Sequence, residues 1–239
     1  MGSANSISSP TQSPCLHRWN NSFIEKVTYQ NAIAATKQFN YDNLSKRLRH
    51  YTMFQIVNSQ NKDLILTGNV AECGCWQGQS AHGIASILKK LNFTNRFIIF
   101  DSFQGLSDLG TEDQHELIKM TPEQKIQQKN SFAASLDLVK NNLREFDFID
   151  YYEGWVPSRF SEVANNKFSF VNIDVDLYQP IKDCLEFFYP RMLKGGCVFL
   201  DDYGMSQFPG AKTSVDEFLK NIAPTFFMWL PFGGAVLIK

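Results

Sequence analysis

Two short apolar runs in the second half of the chain each end in a pair of carboxylates. The run FVNI leads into Asp174 and Asp176, and the run VFL leads into Asp201 and Asp202. Carboxylates that share one crevice repel each other, so they persist there when they are protonated, solvated or neutralised by a cation. A hard divalent ion such as Mg²⁺ takes oxygen ligands of this kind. The spacing alone leaves two interpretations open, a metal site and a set of Asp caps on the segments that follow.

The elements that carry these carboxylates are predicted to be neighbouring strands. Short apolar runs rich in β-branched and aromatic residues indicate buried strands of a parallel sheet. The chain between Asp174 and Asp201 is long enough for one helical crossover and no further domain. Open parallel sheets bind ligands beyond the carboxyl ends of their strands, so both acidic pairs are expected on the ligand side.

An earlier strand is predicted at 69–73, and it runs into a turn that contains Gly74 and Gly78. A helix is predicted directly after this turn, over about 79–91. Strand, glycine-containing turn and helix form the opening unit of nucleotide-binding α/β folds, because glycine lets the backbone approach a ligand. The spacing Glu72-x-Gly-x-x-x-Gly differs from the dinucleotide pattern G-x-G-x-x-G and suits a nucleoside that carries no phosphates.

The next predicted strand, 97–100, ends at Asp101. An acidic residue at the end of the second strand binds a ribose diol in this architecture. Glu72 and Asp101 would then end adjacent strands and bracket the same nucleoside. The alternative is that Asp101 simply caps the following turn.

The remaining pattern predicts a Rossmann-like sheet. A strand at 147–152 precedes Trp155, which would either stack on a purine or bury a core face. Two closely linked strands at 225–230 and 235–238 must form an antiparallel hairpin. We therefore expect an α/β fold of five parallel strands plus a C-terminal antiparallel hairpin, with helices on both faces, two of them predicted over 128–144 and 178–190.

Composition divides the chain into three predicted parts. Residues 1–14 are rich in Ser, Asn and Pro and are predicted to be a disordered tail, 15–63 a helical arm or cap, and 64–239 the Rossmann-like domain. A polar insert at about 104–127 is predicted to be a lid or a disordered loop. It contains His115, a candidate general base because histidine titrates near neutrality; a solvated loop histidine is the alternative.

The overall composition indicates a small-molecule partner. The net charge is −1, from 23 basic and 24 acidic residues, so bulk charge favours neither nucleic acid nor an anionic membrane surface. The five cysteines lack the spacing of a zinc site and are expected to be reduced and buried, as in a cytoplasmic protein. We find no transmembrane run and no signal-peptide pattern. The choice between a monomer and a homo-oligomer stays open.

Several segments resemble one enzyme family. The segments AECGCWQGQSA, FDSFQGL, YYEGWVP, NIDVDLYQPIKDCLEFFYPRMLKGG, FLDDYG and AKTSVDEF are similar to those of the macrocin O-methyltransferase family. That family belongs to the class I S-adenosylmethionine-dependent methyltransferases and acts on sugar moieties of natural products. The resemblance covers about residues 64–239, and its specific part is DxDLY followed by GG and DDYG.

The resemblance implies a Mg²⁺-dependent transfer of a methyl group from S-adenosylmethionine to a sugar hydroxyl. It implies metal ligation by Asp174, Asp201 and Asp202, and it makes Asp174 and His115 the candidate catalytic residues. The cofactor site that it implies consists of Glu72, Cys73, Gly74, Trp76, Gly78, Ser80, Asp101, Ser102, Phe103, Gly154, Trp155 and Asp174.

Two positions and three alternative functions qualify this expectation. Asp176 is expected to support the loop or a metal ligand, and Gln77 stands where the family usually has arginine. A phenolic or catechol acceptor would use the same fold and cofactor. A non-catalytic S-adenosylmethionine-binding module is the second alternative, and a nicotinamide-dependent oxidoreductase, which the missing phosphate fingerprint disfavours, is the third.

Overall fold

One mixed sheet forms the centre of the protein. The computed structural model describes residues 24–114 and 120–239, so the predicted tail 1–14, Cys15 and His115 lie outside the described residues. The strands follow the order β3-β2-β1-β4-β5-β7-β6. Their bounds are β1 Asn69–Cys73, β2 Phe97–Asp101, β3 Ile149–Glu153, β4 Phe168–Ile173, β5 Met192–Leu200, β6 Phe226–Trp229 and β7 Ala235–Ile238.

The direction of the strands confirms the predicted fold. Neighbours from β3 through β5 are parallel, and β7 runs antiparallel to both β5 and β6. The sheet therefore has five parallel strands and a C-terminal antiparallel hairpin. The carboxyl ends of β1, β2, β4 and β5 share one edge, where ligands bind in sheets of this kind.

Helices cover the sheet, and two 3-10 turns lie at Phe39–Tyr41 and Phe160–Val163. The α-helices of the described residues are α1 Ile24–Thr36, α2 Leu44–Ser59, α3 Lys62–Thr67, α4 Gln79–Lys90, α5 Pro122–Ser131, α6 Leu136–Asn142, α7 Tyr178–Arg191 and α8 Pro209–Leu219.

The prediction of one helix over 128–144 is wrong, because two helices meet there. α5 ends at Ser131, and the Ser135 hydroxyl accepts a hydrogen bond from the Leu138 amide at 3.2 Å. Serine at this position satisfies a backbone donor at the start of a new helix. The apolar spacing continues across the break, so periodicity alone does not detect it.

The N-terminal helices share the core of the sheet domain. Phe54 of α2 is fully buried against α4, and a Cβ atom on Gly83 would lie 2.0 Å from the Phe54 ring. The predicted boundary between residues 63 and 64 falls inside α3. A second apolar cluster lies on the other face of the sheet and includes Leu185 and Phe188 of α7.

The segment after β2 is irregular and is anchored by one carboxylate. The buried Asp113 accepts hydrogen bonds from the Tyr178 amide at 2.8 Å and from the Gly110 amide at 2.9 Å. Tyr178 is the first residue of α7, whose amide has no partner within the helix. A Cβ atom on Gly210, in α8, would lie only 2.0 Å from Asp113 Oδ1. Asp113 therefore joins the insert to the starts of α7 and α8.

Two further expectations concern cysteine and membranes. Cys73, Cys75, Cys184 and Cys197 are buried and free, as predicted for these four residues. Over the described ranges, no helix combines the length and apolar character that a membrane span requires.

Candidate active site

A cavity of about 440 Å³ lies at the carboxyl edge of the parallel strands. Its first side, the strand side, is formed by residues that directly follow β1, β4 and β5, and by the end of β2 and the residue after it. Its second side, the arm side, comes from α2 and the 3-10 turn before it. Gly105, Leu106 and Ser107 of the insert also line the cavity.

The turn between β1 and α4 brings backbone close to the end of β4. Gly74 and Gly78 have positive φ angles of 80° and 86°, a region that favours glycine. A Cβ atom on Gly74 would lie 1.8 Å from the carbonyl oxygen of Asp174. This contact requires glycine at position 74 and sets the turn directly beside the acidic residues.

Asp101 connects this turn to the turn after β2. Its carboxylate accepts backbone hydrogen bonds from Cys75 at 2.7 Å, Trp76 at 3.1 Å and Phe103 at 2.7 Å. Asp101 also lines the cavity. Asp101 therefore caps the two turns, which agrees with the capping interpretation of this residue. It also lies in the cavity, where it would have to be in order to bind a ribose.

Glu72 is not among the residues that line the cavity. It is fully buried, and its Oε1 accepts a hydrogen bond from Asn172 Nδ2 at 2.7 Å. The two residues face each other across β1 and β4. Burial raises the pKa of Glu72 to about 7. The structure thus does not bring Glu72 to the cavity beside Asp101.

Three carboxylates form a group that could hold a metal ion. Asp174, Asp176 and Asp202 each offer an oxygen atom, and these atoms lie within 4.8 Å of one another. The Asp176 amide donates a hydrogen bond to Asp202 Oδ2 at 3.0 Å. Burial raises the pKa of each of these carboxyl groups well above its usual value, and repulsion from neighbouring carboxylates adds to the effect. The group contains Asp176, which the sequence assigned a supporting role.

Asp201 is held by an arginine of the arm. Nε and Nη2 of Arg49 both lie 2.9 Å from Asp201 Oδ2, and both side chains are largely buried. Burial acts to raise the pKa of Asp201, but the charge and hydrogen bond of Arg49 outweigh it, so this pKa lies below its usual value. Arg49 also donates to Ser45 Oγ at 2.9 Å. Asp201 is thus an ionised carboxylate that already has a cationic partner.

Sequence reasoning missed the polar residues that α2 contributes to the cavity. Lys46 Nζ donates to Gln38 Oε1 at 3.0 Å and lies 5.4 Å from the centroid of the Trp76 ring. Burial lowers the pKa of Lys46 to about 8 and the pKa of the buried His50 to about 3, so His50 is neutral at pH 7. Lys46, Arg49 and His50 have i, i+3, i+4 spacing, which places them on one helix face. This spacing of polar residues in the sequence is the signal that could have indicated their shared role.

The predicted cofactor residues fall into two groups in the structure. Those that line the cavity are Gly74, Trp76, Asp101, Ser102, Trp155 and Asp174. Those that are not among its lining residues are Glu72, Cys73, Gly78, Ser80, Phe103 and Gly154. The predicted metal ligands Asp174, Asp201 and Asp202 all line the cavity, and so does Asp176.

Comparison with known sequences identifies one family. Residues 41–223 match the model of the macrocin O-methyltransferase family (TylF). A demethyldecarbamoylnovobiocin O-methyltransferase from Streptomyces niveus is 31% identical over 157 residues, which are 63% of this chain and 58% of that protein. A mycinamicin III 3''-O-methyltransferase from Micromonospora griseorubida is 28% identical over 159 residues, which are 63% of this chain and 60% of that protein. The chain thus spans about three fifths of the length of these relatives.

Solved structures share the fold. The O-methyltransferase NovP has a TM-score of 0.67 and 20% sequence identity, with 90% of this chain and 99% of that chain covered. A calicheamicin methyltransferase has a TM-score of 0.62 and 21% identity, with 98% and 99% covered. At this level of identity the likeness establishes the architecture alone.

Proposed function

The chain belongs to the macrocin O-methyltransferase family, and on that premise we propose that it is an S-adenosylmethionine-dependent, Mg²⁺-dependent O-methyltransferase. Its acceptor would be a hydroxyl of a sugar or of a glycosylated small molecule. A further relative, from Streptomyces olivaceus, is named for 4'-O-methylation of a rhamnosyl-tetracenomycin, which is a compound of this kind. The observation that carries the proposal is one cavity that is lined by a glycine-containing turn, Asp101 and a compact group of carboxylates.

The donor set fits a hard divalent cation. Asp174, Asp176 and Asp202 supply only carboxylate oxygens, which is the chemistry that Mg²⁺ prefers. Their crowding is unfavourable without a positive charge beside them. Asp174 and Asp202 belong both to the predicted ligand set and to the observed group. The third ligand is Asp176 or Asp201, and the pairing of Asp201 with Arg49 favours Asp176.

Other cavity residues fit the two organic ligands. S-adenosylmethionine would supply an electrophilic methyl group when bound, and Mg²⁺ would supply a Lewis acid that lowers the pKa of a coordinated hydroxyl. Asp101 and Ser102 are suited to the ribose hydroxyls, and the half-exposed ring of Trp155 offers a face on which a purine can stack. Gly74 and Trp76 would then contact the amino-acid portion.

The chain must also remove a proton from the acceptor hydroxyl. We assign this role to His115 or to Asp174. Asp174 lines the cavity beside the other carboxylates. Residues of the arm and of the insert line the cavity together with the strand ends, and these walls would exclude bulk water from the reacting groups.

Calorimetry tests the cofactor and the metal together. We expect the protein to bind S-adenosylhomocysteine and to show no heat with NAD. Tight binding of NAD without binding of S-adenosylhomocysteine would overturn the assignment. Methyl transfer from labelled S-adenosylmethionine should require Mg²⁺, and a panel of glycosides and catechols would separate the proposed acceptor class from the phenolic alternative.

Three single variants identify the third metal ligand. Asp202→Asn and Asp176→Asn should weaken Mg²⁺ binding about tenfold or more, the scale of losing one charged ligand interaction. Asp201→Asn should weaken it less, because Arg49 already neutralises Asp201. Asp108→Asn is the matched control, since Asp108 is almost fully exposed and lies outside this cavity. The reverse order for positions 176 and 201 would restore the ligand set that the family resemblance implies, Asp174, Asp201 and Asp202.

A further inference from the structure

The charges that line the cavity are unequally matched. Among the described lining residues, five carboxylates face two cationic side chains. The five carboxylates belong to Asp101, Asp174, Asp176, Asp201 and Asp202, and the cations are Lys46 and Arg49. Arg49 is paired with Asp201 at 2.9 Å. Among the described lining residues, Lys46 is therefore the cationic side chain that is available to bind an anionic group of a ligand.

Lys46 lacks an anionic partner within the described part of the chain. Its ammonium group has a neutral acceptor, Gln38 Oε1 at 3.0 Å, and an aromatic neighbour, Trp76. It forms no ion pair with a described carboxylate. Burying an ammonium group is unfavourable unless a counter-charge compensates it. An anionic group of a bound ligand at hydrogen-bonding distance would give this ammonium group a direct charged partner.

The position of Lys46 indicates which part of a ligand it would meet. Trp76 belongs to the turn after β1, and its backbone amide donates to Asp101. The Lys46 ammonium thus lies against this turn, on the arm side of the cavity. The methyl donor carries one negative group, the α-carboxylate of its amino-acid portion, whereas its ammonium and sulfonium groups are positive and would be attracted by the acidic residues.

We propose that Lys46 binds the α-carboxylate of the methyl donor and of its homocysteine product. The inference rests on the proposed function, because it presumes that S-adenosylmethionine occupies the cavity. Lys46 and the carboxylates would then fix the direction of the amino-acid portion. One end would be held by a cation, and the positive centres would face Asp174 and its neighbours.

Two other roles for Lys46 give different experimental results. A carboxylate or phosphate on the acceptor could supply the anion instead. Lys46 could also serve only as a counter-charge to Asp174 and Asp201, both of which act to raise its pKa against the effect of burial. In neither role would the effect of substituting Lys46 depend on whether the ligand contains the amino-acid portion.

The test compares two ligands and three variants by calorimetry on the full chain. S-adenosylhomocysteine contains the amino-acid portion, and 5'-methylthioadenosine has the same nucleoside and a sulfur atom without it. Lys46→Met should weaken S-adenosylhomocysteine binding about 10- to 100-fold, the loss expected for a hydrogen bond between charged groups. The affinity for 5'-methylthioadenosine should stay within about twofold, because that ligand has no carboxylate.

Matched variants control for charge and folding. Lys46→Arg keeps the charge and should retain most of the affinity for S-adenosylhomocysteine. Lys140→Met removes an exposed lysine that also lies over an aromatic ring, that of Tyr151 at 5.8 Å, but outside the cavity, and should change neither affinity. Lys46→Gln replaces Lys46→Met if the latter does not give a folded protein by circular dichroism.

Each result supports or overturns the proposal. An equal loss for both ligands, or no loss for either, would overturn it while leaving the proposed function standing. Unchanged binding of S-adenosylhomocysteine with weaker binding of an anionic acceptor would assign the anion to the acceptor and also overturn it. Failure of the wild-type protein to bind S-adenosylhomocysteine would overturn both proposals.

Discussion

The two sides of the cavity are held in place by different forces. On the strand side, backbone groups hold the polar residues, as in the three amide hydrogen bonds to Asp101 and the close contact of Gly74 with the end of β4. On the arm side, side chains hold α2, and its ion pair joins Arg49 to a residue 152 positions away. The strand side should therefore tolerate loss of one side chain better than the arm side.

The largest expected effect is on the arm side. Arg49→Met would leave Asp201 as a buried, uncompensated charge, so the free energy of unfolding should fall by about 3–5 kcal/mol. Arg47→Met is the matched control in the same helix, because Arg47 pairs with Asp42 at the surface and its loss should cost about 0–1 kcal/mol. Urea unfolding at neutral pH measures both values.

A double variant sharpens that result. Arg49→Met combined with Asp201→Asn removes both charges and should recover much of the lost stability, because no uncompensated charge remains. Equal stability losses for Arg49→Met and Arg47→Met would show that the ion pair does not hold the arm.

The second effect concerns Glu72, a buried carboxyl group in β1. Glu72 has a pKa of about 7 in the folded protein and an ordinary value of 4.5. Between these values the folded state retains a proton that the unfolded chain has released, so the free energy of unfolding falls as pH rises from about 4.5 to about 7, by about 3 kcal/mol. Above about pH 7 the free energy of unfolding has lost this whole amount, and below about pH 4.5 it has lost none of it.

The Glu72→Gln variant should lack this pH dependence. The difference in stability between the variant and the wild-type protein should shift by about 3 kcal/mol in favour of the variant between about pH 4 and pH 8. Glu153→Gln, at the exposed end of β3, is the control. Parallel pH profiles for wild type and Glu72→Gln would mean that Glu72 is ionised in the fold without penalty.

The smallest expected effect concerns the insert. Asp113→Ala removes two hydrogen bonds to a buried carboxylate and should cost about 1–3 kcal/mol. Amide exchange at Tyr178 and Gly110 should accelerate, because both amides lose their acceptor. Asp108→Ala removes only an exposed pair with Lys129 and should cost less than about 1 kcal/mol. Unchanged exchange in Asp113→Ala would show that other contacts hold the insert.

Most features that depend on a few adjacent residues were predicted correctly, and features that depend on contacts between distant segments were missed. The strand ends, the glycine turn and the hairpin were predictable because turn chemistry and apolar runs act over a few residues. The break before Ser135 was missed because a serine cap leaves the apolar spacing of its neighbours intact. Glu72 was predicted at the cavity, yet it is fully buried, accepts a hydrogen bond from Asn172 of the neighbouring strand and is not among the lining residues. Its partner is 100 positions away in the chain, so the sequence around Glu72 does not show this pairing.

The sequence by itself determined the sheet, its ligand-binding edge and the set of carboxylates that gather there, because each depends on residues adjacent in the chain. Only the tertiary structure decided how that set divides. Arg49, brought from α2, pairs with Asp201 and leaves Asp176 grouped with Asp174 and Asp202. Packing of the arm on α4 also brings Lys46 to the cavity, and a contact between distant segments has no local signature in the sequence.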